Sequence, residues 1–244
     1  MHPLLPKQPN QSIIDGIRCL QGVVSAERPV GVSELAVALD LETTRVHRLL
    51  RTLAACGLIS RLPSRRYSVG PGLPVLAAQT MHAIKFGSRM LGPLEELHDR
   101  FEKDHLFVAL GVLWERSVSY LFHGLSDSPV ESAIAAHRVW PASQSGVGIA
   151  LLAELDDDAV KALYAKREVP GYPGCTKDLL KTLQETRKQG YALIKTVTSD
   201  TTLAVVIRPE GNMAIAFSGA INRKKIPEYL AELRKTAALI GGSP

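Results

Sequence analysis

The stretch from Thr43 to Ala55 constrains this chain more than any other. Val46, Leu49, Leu50, Leu53 and Ala54 recur at i, i+3, i+4, i+7 and i+8, which makes one apolar stripe on a helix. At about 100° per residue, Thr44, Arg48 and Arg51 point the opposite way, flanked by Arg45, His47 and Thr52. Such a helix rests one side on a core and shows threonine and arginine on the other. A helix that enters the major groove of DNA needs this division. Arginine serves phosphates and guanine edges, and threonine serves phosphates and thymine methyls. An ordinary amphipathic surface helix is the alternative reading.

The flanking segments favour the first reading. Upstream, Ile13, Ile14, Ile17, Leu20, Val23 and Val24 recur at helical spacing from Ser12, until Arg28-Pro29-Val30-Gly31 breaks the pattern. Ser33 can cap a short helix over 34–39, and Asp40-Leu41-Glu42 is a tight connection. Thr43 or Thr44 can cap the helix that follows, which gives a helix-turn-helix arrangement. Downstream, 58–62 and 67–70 are β-like runs around Pro63-Ser64, with Arg65 and Arg66 at the tip of the hairpin. A basic hairpin directly after such a helix is a wing that can grip backbone phosphates. Residues 12–70 thus read as three helices and a wing, after a flexible arm over 1–11.

Charge follows the same division. The 244 residues carry 29 Lys+Arg and 24 Asp+Glu, a formal net charge of +5. Residues 1–90 hold 11 Lys+Arg against 5 Asp+Glu, and the rest hold 18 against 19. Within 41–70, Arg45, Arg48, Arg51, Arg61, Arg65 and Arg66 face only Glu42. That is a candidate electrostatic footprint for a polyanion, or else a solvated basic face. Because all six cations are arginine, bidentate contact with phosphate or guanine gains weight.

Composition bounds the remainder. With 45% hydrophobic and 22% charged residues, the chain is not collagen-like, a disulfide scaffold or wholly disordered. No apolar run approaches the roughly 18 residues that would span a bilayer. Prolines at positions 3 and 6 stand where a secretory apolar core would be, so a cytoplasmic protein without a membrane partner is expected. Cys19, Cys56 and Cys175 are odd in number and widely spaced, and they read as reduced structural thiols. Neither a metal site nor a cofactor is expected.

Pro71-Gly72-Leu73-Pro74 marks a boundary. Residues 71–89 read as a linker helix, with Val75, Leu76, Ala78, Gln79 and His82 suited to packing on another chain and Gly87 interrupting it. Residues 90–244 read as an α+β domain, an antiparallel sheet with packed helices. Helices are expected over 91–103, from Ser145, after the capping run Asp156-Asp157-Asp158, around Leu179–Leu183 up to Gly190, and over 225–240. Strands are expected over 106–112, 118–122, 191–197, 203–207 and 214–217. His98 and Glu102 read as a solvated surface pair.

The motifs of catalysis are missing. There is no G-x-S-x-G, P-loop or H-E-x-x-H, so no catalytic residue is assigned. What remains is a set of small polar residues at segment ends: Ser143, Ser145, Gly146, Asp200, Thr201, Thr202, Ser218 and Gly219. Hydroxyls, a glycine and a helix N-terminus suit a small oxygen-rich ligand, although loop Ser and Thr also serve as plain caps.

Taken together, the chain resembles the IclR family of bacterial transcriptional regulators over about residues 12–240. The resemblance rests on Val46-His47-Arg48-Leu49-Leu50-Arg51-Thr52-Leu53, then Gly57-Leu58, then Arg66-Tyr67-Ser68-Val69-Gly70. It continues through Leu94-Glu95-Glu96-Leu97, the run from Pro141 to Ala153, Gln189-Gly190-Tyr191-Ala192, and Ser218-Gly219. The resemblance implies an N-terminal winged helix-turn-helix and a C-terminal effector-binding domain with a GAF/PAS-like sheet. It also implies homodimers, often paired into tetramers, that repress or activate catabolic operons. By the same resemblance Thr43, Thr44, Arg45, His47, Arg48, Arg65 and Arg66 contact DNA, and Arg51 joins them from the helix pattern. The effector pocket falls on 143–146, 200–202 and 218–219, with Ser143, Ser145, Gly146, Asp200, Thr202 and Ser218 as its residues.

The chain departs from the family in that pocket. Ser143 stands in place of His, Ile149 of Lys, Thr202 of Cys and Ala216 of Ser. Losing a basic residue and a thiol points away from a small-carboxylate effector, toward a neutral, sugar-like or bulkier ligand, or toward loss of sensing. The expected function is a dimeric DNA-binding regulator of a pseudo-palindromic operator, controlled by a small organic metabolite. The rivals are a small hydrolase or transferase with a basic accessory head, and a ligand-independent DNA-binding protein.

Overall fold

The computed structural model describes residues 6–124, 139–165, 167–173, 176–195, 200–209 and 211–242. The expected strand positions 196 and 197, the first five residues of the expected arm, and Cys175 lie outside them. The chain divides into two compact units, 5–86 and 87–244.

The first unit is built from α1 (Gln11–Ser25), α2 (Val32–Leu39), α3 (Thr43–Ala55), strands β1 (Ile59–Arg61) and β2 (Tyr67–Val69), and α4 (Gly72–Ala83). Asn10 caps α1 by accepting from the amides of Ser12 and Ile13. Two capping expectations are corrected. Gly31 stands at the N-cap of α2, so Ser33 lies inside its first turn. Glu42 is the N-cap of α3, without a side-chain bond, so neither Thr43 nor Thr44 caps it. Asp40, at φ 52°, turns the chain between α2 and α3.

The core of this unit is Cys19, Val23, Val30, Leu35, Ala36, Val46, Leu50, Ile59 and Tyr67. Val46 and Leu50 are fully buried, and Leu49, Leu53 and Ala54 pack beside them, so the apolar stripe of α3 does face inward. The hairpin pairs Ile59 with Val69 and Arg61 with Tyr67. Val30 adds a further bridge on the other side of Tyr67, with amide–carbonyl distances of 2.9 and 2.8 Å. This bridge ties the wing to the segment before α2. Burial pushes the Cys19 thiol pKa up, helped by the Asp15 carboxylate. α4 buries none of its residues. Gly87 falls inside a π turn, Phe86–Met90.

The second unit contains α5 (Leu91–Phe101), β3 (Leu106–Trp114), β4 (Ser117–Gly124), β5 (Val139–Pro141), α6 (Gly146–Leu152), α7 (Asp157–Leu163), α8 (Thr176–Gln189), β6 (Ala192–Lys195), β7 (Thr201–Ile207), β8 (Met213–Gly219) and α9 (Ile226–Gly241). The sheet runs β5-β4-β3-β8-β7-β6, and every pair is antiparallel. α5 and α9 cover one face, where Phe101 meets Phe217 in a tilted pair at 4.8 Å and Tyr229 edge-to-face at 5.8 Å between centroids.

α6 covers the other face and is buried along all seven residues. It can approach because the sheet beneath it is made of small residues, Gly111, Ala204, Ala214 and Ala216. A Cβ on Gly111 would meet Val147 of α6 at 3.0 Å. Asp156 caps α7 by accepting from the Ala159 amide at 2.7 Å. One expectation fails outright. His98 is 3% exposed, edge-on to Phe122 at 6.5 Å, and is no solvated partner of Glu102. It is buried because α5 turns Leu94, Leu97 and Phe101 onto the sheet and carries His98 in with them.

Candidate nucleic-acid interface and effector cluster

Thr43, Thr44, His47, Arg48 and Arg51 are exposed along α3, and Arg65 is exposed on the hairpin loop. Arg48, Arg51 and Arg65 form no ion pair among the described residues. Their guanidinium groups are available to an external anion. Thr52 Oγ1 donates to the Arg48 carbonyl at 3.1 Å, which commits that hydroxyl to its own helix.

The two remaining arginines of the expected interface are occupied. Arg45 Nη2 lies 2.7 Å from the carboxylate of Asp15 on α1. Arg66 donates through Nε to the Pro29 carbonyl at 2.9 Å and through Nη2 to Glu34 at 2.8 Å. Arg28 also pairs with Glu34, and its guanidinium, with the Gly31 amide and Arg66, holds that carboxyl below the usual range. Arg65 takes φ 58°, which turns the hairpin tip.

The expected effector residues come together only in part. Ser145 caps α6 by accepting from the Gly148 amide at 3.2 Å, and its Oγ lies 2.9 Å from the hydroxyl of Tyr120. Thr202 and Ser218 are register partners on β7 and β8, with their hydroxyls 2.8 Å apart. Gly146 packs directly on Thr202, so that a Cβ there would stand 2.3 Å from Thr202 Cγ2. Ser145, Gly146, Thr202 and Ser218 therefore sit where the start of α6 meets the sheet. Ser143 is buried but donates to the Pro170 carbonyl at 2.7 Å, toward another loop. Asp200 is half-buried just before β7. A separate surface groove of about 730 Å³ is lined by Tyr164, Val169, Pro170 and Tyr172 and contains none of the six expected residues.

Two members of the cluster escape sequence reasoning, Tyr120 and His123 on β4. Three residues apart on a regular strand, they would face opposite ways. A β-bulge shifts the register between Leu110/Gly111 and their partners, so that Tyr120 opposes Gly111 and His123 opposes Ala109. Gly111 and Ala109 share a face, and the two rings meet at 5.1 Å. Burial lowers the His123 pKa, favouring the neutral ring, and raises the Tyr120 pKa, keeping the phenol protonated. The cluster thus offers hydroxyls and a neutral imidazole, and none of the residues that compose it is a lysine or arginine.

A helix-turn-helix head with free arginines, joined to a sheet domain with an enclosed polar cluster, has the parts of a ligand-responsive DNA-binding regulator. Comparison with known proteins gives the family. Residues 18–63 match the IclR helix-turn-helix domain, and residues 78–241 match the bacterial transcriptional regulator IclR C-terminal domain. The chain belongs to the IclR family of bacterial transcriptional regulators. It is 27% identical over 195 residues to the HTH-type transcriptional regulator KdgR of Escherichia coli K12, a match that covers 77% of this chain and 72% of the relative. KdgR of Dickeya chrysanthemi matches at 26% over 195 residues, 77% of this chain and 62% of that protein.

Solved structures share the α+β fold. An IclR family regulator from Brucella abortus aligns with TM-score 0.76 at 20% identity, over 99% of this chain and 95% of that one. An IclR homolog from Microbacterium hydrocarbonoxydans, solved with 4-hydroxybenzoate, aligns with TM-score 0.65 at 20% identity, over 95% and 98% of the two chains.

Proposed function

We propose that the chain binds a pseudo-palindromic operator as a homodimer, with α3 of each head in a major groove. Arg48 and Arg51 hold phosphates or guanine edges, Thr43, Thr44 and His47 reach bases or the adjoining backbone, and Arg65 clamps the flank. The observation that carries this reading is the pair of free guanidinium groups on the outward face of α3. A second copy has surfaces to use: Ile13, Ile17 and Val24 on α1, and Val75 and Leu76 on α4, are exposed apolar side chains. Residues 71–89 act as the linker between a head over 12–70 and a sensing body over 90–244. A protein that acts on chromosomal DNA in a bacterium works in the cytoplasm.

We further infer that the effector is a small organic molecule recognised by Tyr120, His123, Ser145, Thr202 and Ser218. A hydroxyl-lined cluster with a neutral imidazole suits uncharged polar or phenolic groups better than a carboxylate that needs a cation. The 4-hydroxybenzoate held by the Microbacterium relative has such a phenol beside its carboxyl. The chain regulates and does not turn over its ligand. Ser143 Oγ gives its proton to the Pro170 carbonyl and not to a base.

One titration tests the reading. Binding to DNA enriched by in vitro selection is measured over rising salt, with and without candidate phenols and neutral sugars. Arg48→Ala should weaken binding and lower the slope of log K against log salt by about 0.9 for each head, or about 1.8 for the homodimer. A wild-type chain with no preference over random duplex, or an Arg48→Ala variant with unchanged slope, overturns it.

A further inference from the structure

Asp15 is a buried carboxylate on the face of α1 that meets α3, and it is 1% exposed. Three groups converge on it. Gln11 Nε2 donates at 2.9 Å, Arg18 Nη1 lies at 3.5 Å, and Arg45 Nη2 lies at 2.7 Å. Arg18 also donates through Nη2 to the Leu39 carbonyl at the end of α2, 2.7 Å away. One carboxylate thereby links all three helices of the head. A carboxylate so far from water requires charged or hydrogen-bonding partners, and its shortest contact is the arginine of α3.

Arg45 lies in the first turn of α3, among the residues facing the proposed groove, yet its charge is directed inward. Its side chain keeps 41% of its surface exposed, so it would be free to turn outward if the carboxylate were absent. We propose that Asp15 is a positioning residue that sets DNA specificity: through Arg45 it fixes the angle of α3 on α1, and it withholds that one cation from the phosphate backbone. This inference rests on α3 being the DNA-reading helix. The phosphate-contacting arginines then reduce to Arg48, Arg51 and Arg65, with Arg66 bonded to the Pro29 carbonyl and to the exposed Glu34 carboxylate.

The two roles for Arg45 predict opposite salt behaviour. Mutating an arginine that neutralises a phosphate lowers the salt slope by about 0.9 for each head, about 1.8 for the homodimer, whereas mutating an internally paired arginine leaves it unchanged. Removing Asp15 should release a cation toward DNA and steepen the slope by a similar amount. The experiment compares the full-length wild type with Asp15→Asn, Arg45→Met, Asp15→Asn/Arg45→Met and Arg48→Ala. Each is titrated with a short random-sequence duplex and with the duplex selected by the wild type, from about 50 to about 200 mM salt.

The expected result for Asp15→Asn is a steeper slope, tighter random-duplex binding and a smaller ratio of selected to random affinity. Arg45→Met should keep the wild-type slope and lose selected-site affinity. The double variant should return to the wild-type slope, which keeps the test open if Asp15→Asn alone is poorly folded. Arg45→Met lowering the slope as Arg48→Ala does, or Asp15→Asn changing neither slope nor ratio, overturns the proposal. If Arg48→Ala leaves the slope unchanged as well, the failure lies with α3 as the reading helix.

Discussion

His123 shows how a single residue can carry information that sequence spacing hides. Its ring reaches the cluster only because the register of β3 and β4 slips at Leu110/Gly111, and a bulge leaves no simple periodic signature. The serines and threonines are legible because they stand at segment ends, where hydroxyls cap and bind. Ser143 is legible as a polar position but not in its commitment to Pro170, which depends on a loop distant in sequence. The burial of His98 is hidden for a related reason. Its neighbours Leu94, Leu97 and Phe101 define the buried stripe, and a histidine on the edge of that stripe has no sequence mark that it is drawn in.

The burial of His123 has a measurable consequence. Its folded pKa lies below the ordinary 6.5, because burial disfavours the imidazolium. Above pH 6.5 both folded and unfolded chains carry the neutral ring, and the group contributes no pH dependence. As pH falls below 6.5 the unfolded chain takes up the proton first, so stability falls until the folded pKa is passed. Urea unfolding of the wild type and His123→Gln across this range should show a steeper loss in the wild type. Parallel curves would mean that the ring titrates as if in water.

At the scale of elements, the helices of the head are legible almost to the residue, since apolar spacing and the break at Pro29 set their limits. The caps are not. Gly31 and Glu42 replace the expected Ser33, Thr43 and Thr44, because backbone geometry between short helices decides which residue leaves the helix first. The wing is legible as two β-like runs, but not its third pairing with Val30, which is 37 residues from Tyr67. That bridge, with Arg66 tied to Pro29 and Glu34, leaves Arg65 as the outward cation of the hairpin loop. Arg65 also carries the left-handed turn, where a non-glycine residue costs about 1–2 kcal/mol. Asparagine tolerates that conformation and lacks the charge. Arg65→Asn should keep stability within about 1 kcal/mol of wild type while lowering the DNA salt slope by about 0.9 for each head engaged. Thermal unfolding beside a salt titration checks both halves. A larger stability loss with unchanged slope would make Arg65 a packing residue.

For the whole molecule, the boundary between the two units sharpens the charge argument. Residues 5–86 hold 10 Lys+Arg against 5 Asp+Glu, and residues 87–244 hold 19 against 19. The formal +5 thus resides wholly in the head, and the sensing unit is neutral. Arg45 and Arg66 are held by Asp15 and Glu34, so the cations facing outward are fewer than composition suggests. The salt slope counts phosphates neutralised per bound particle, about 0.9 for each. A neutral sensing unit adds nothing to that count, so under the proposed homodimer its contribution to DNA binding is to hold two heads on one site. The head fragment 6–86 has its own buried core, Val46, Leu50, Ile59 and Tyr67 among it, and can be measured by itself. If the full chain binds as a homodimer, its slope should be twice that of the monomeric fragment, and its affinity should exceed the fragment's through effective concentration. Equal slopes for fragment and full chain, at concentrations where sedimentation shows the fragment to be monomeric, would mean that only one head engages the site.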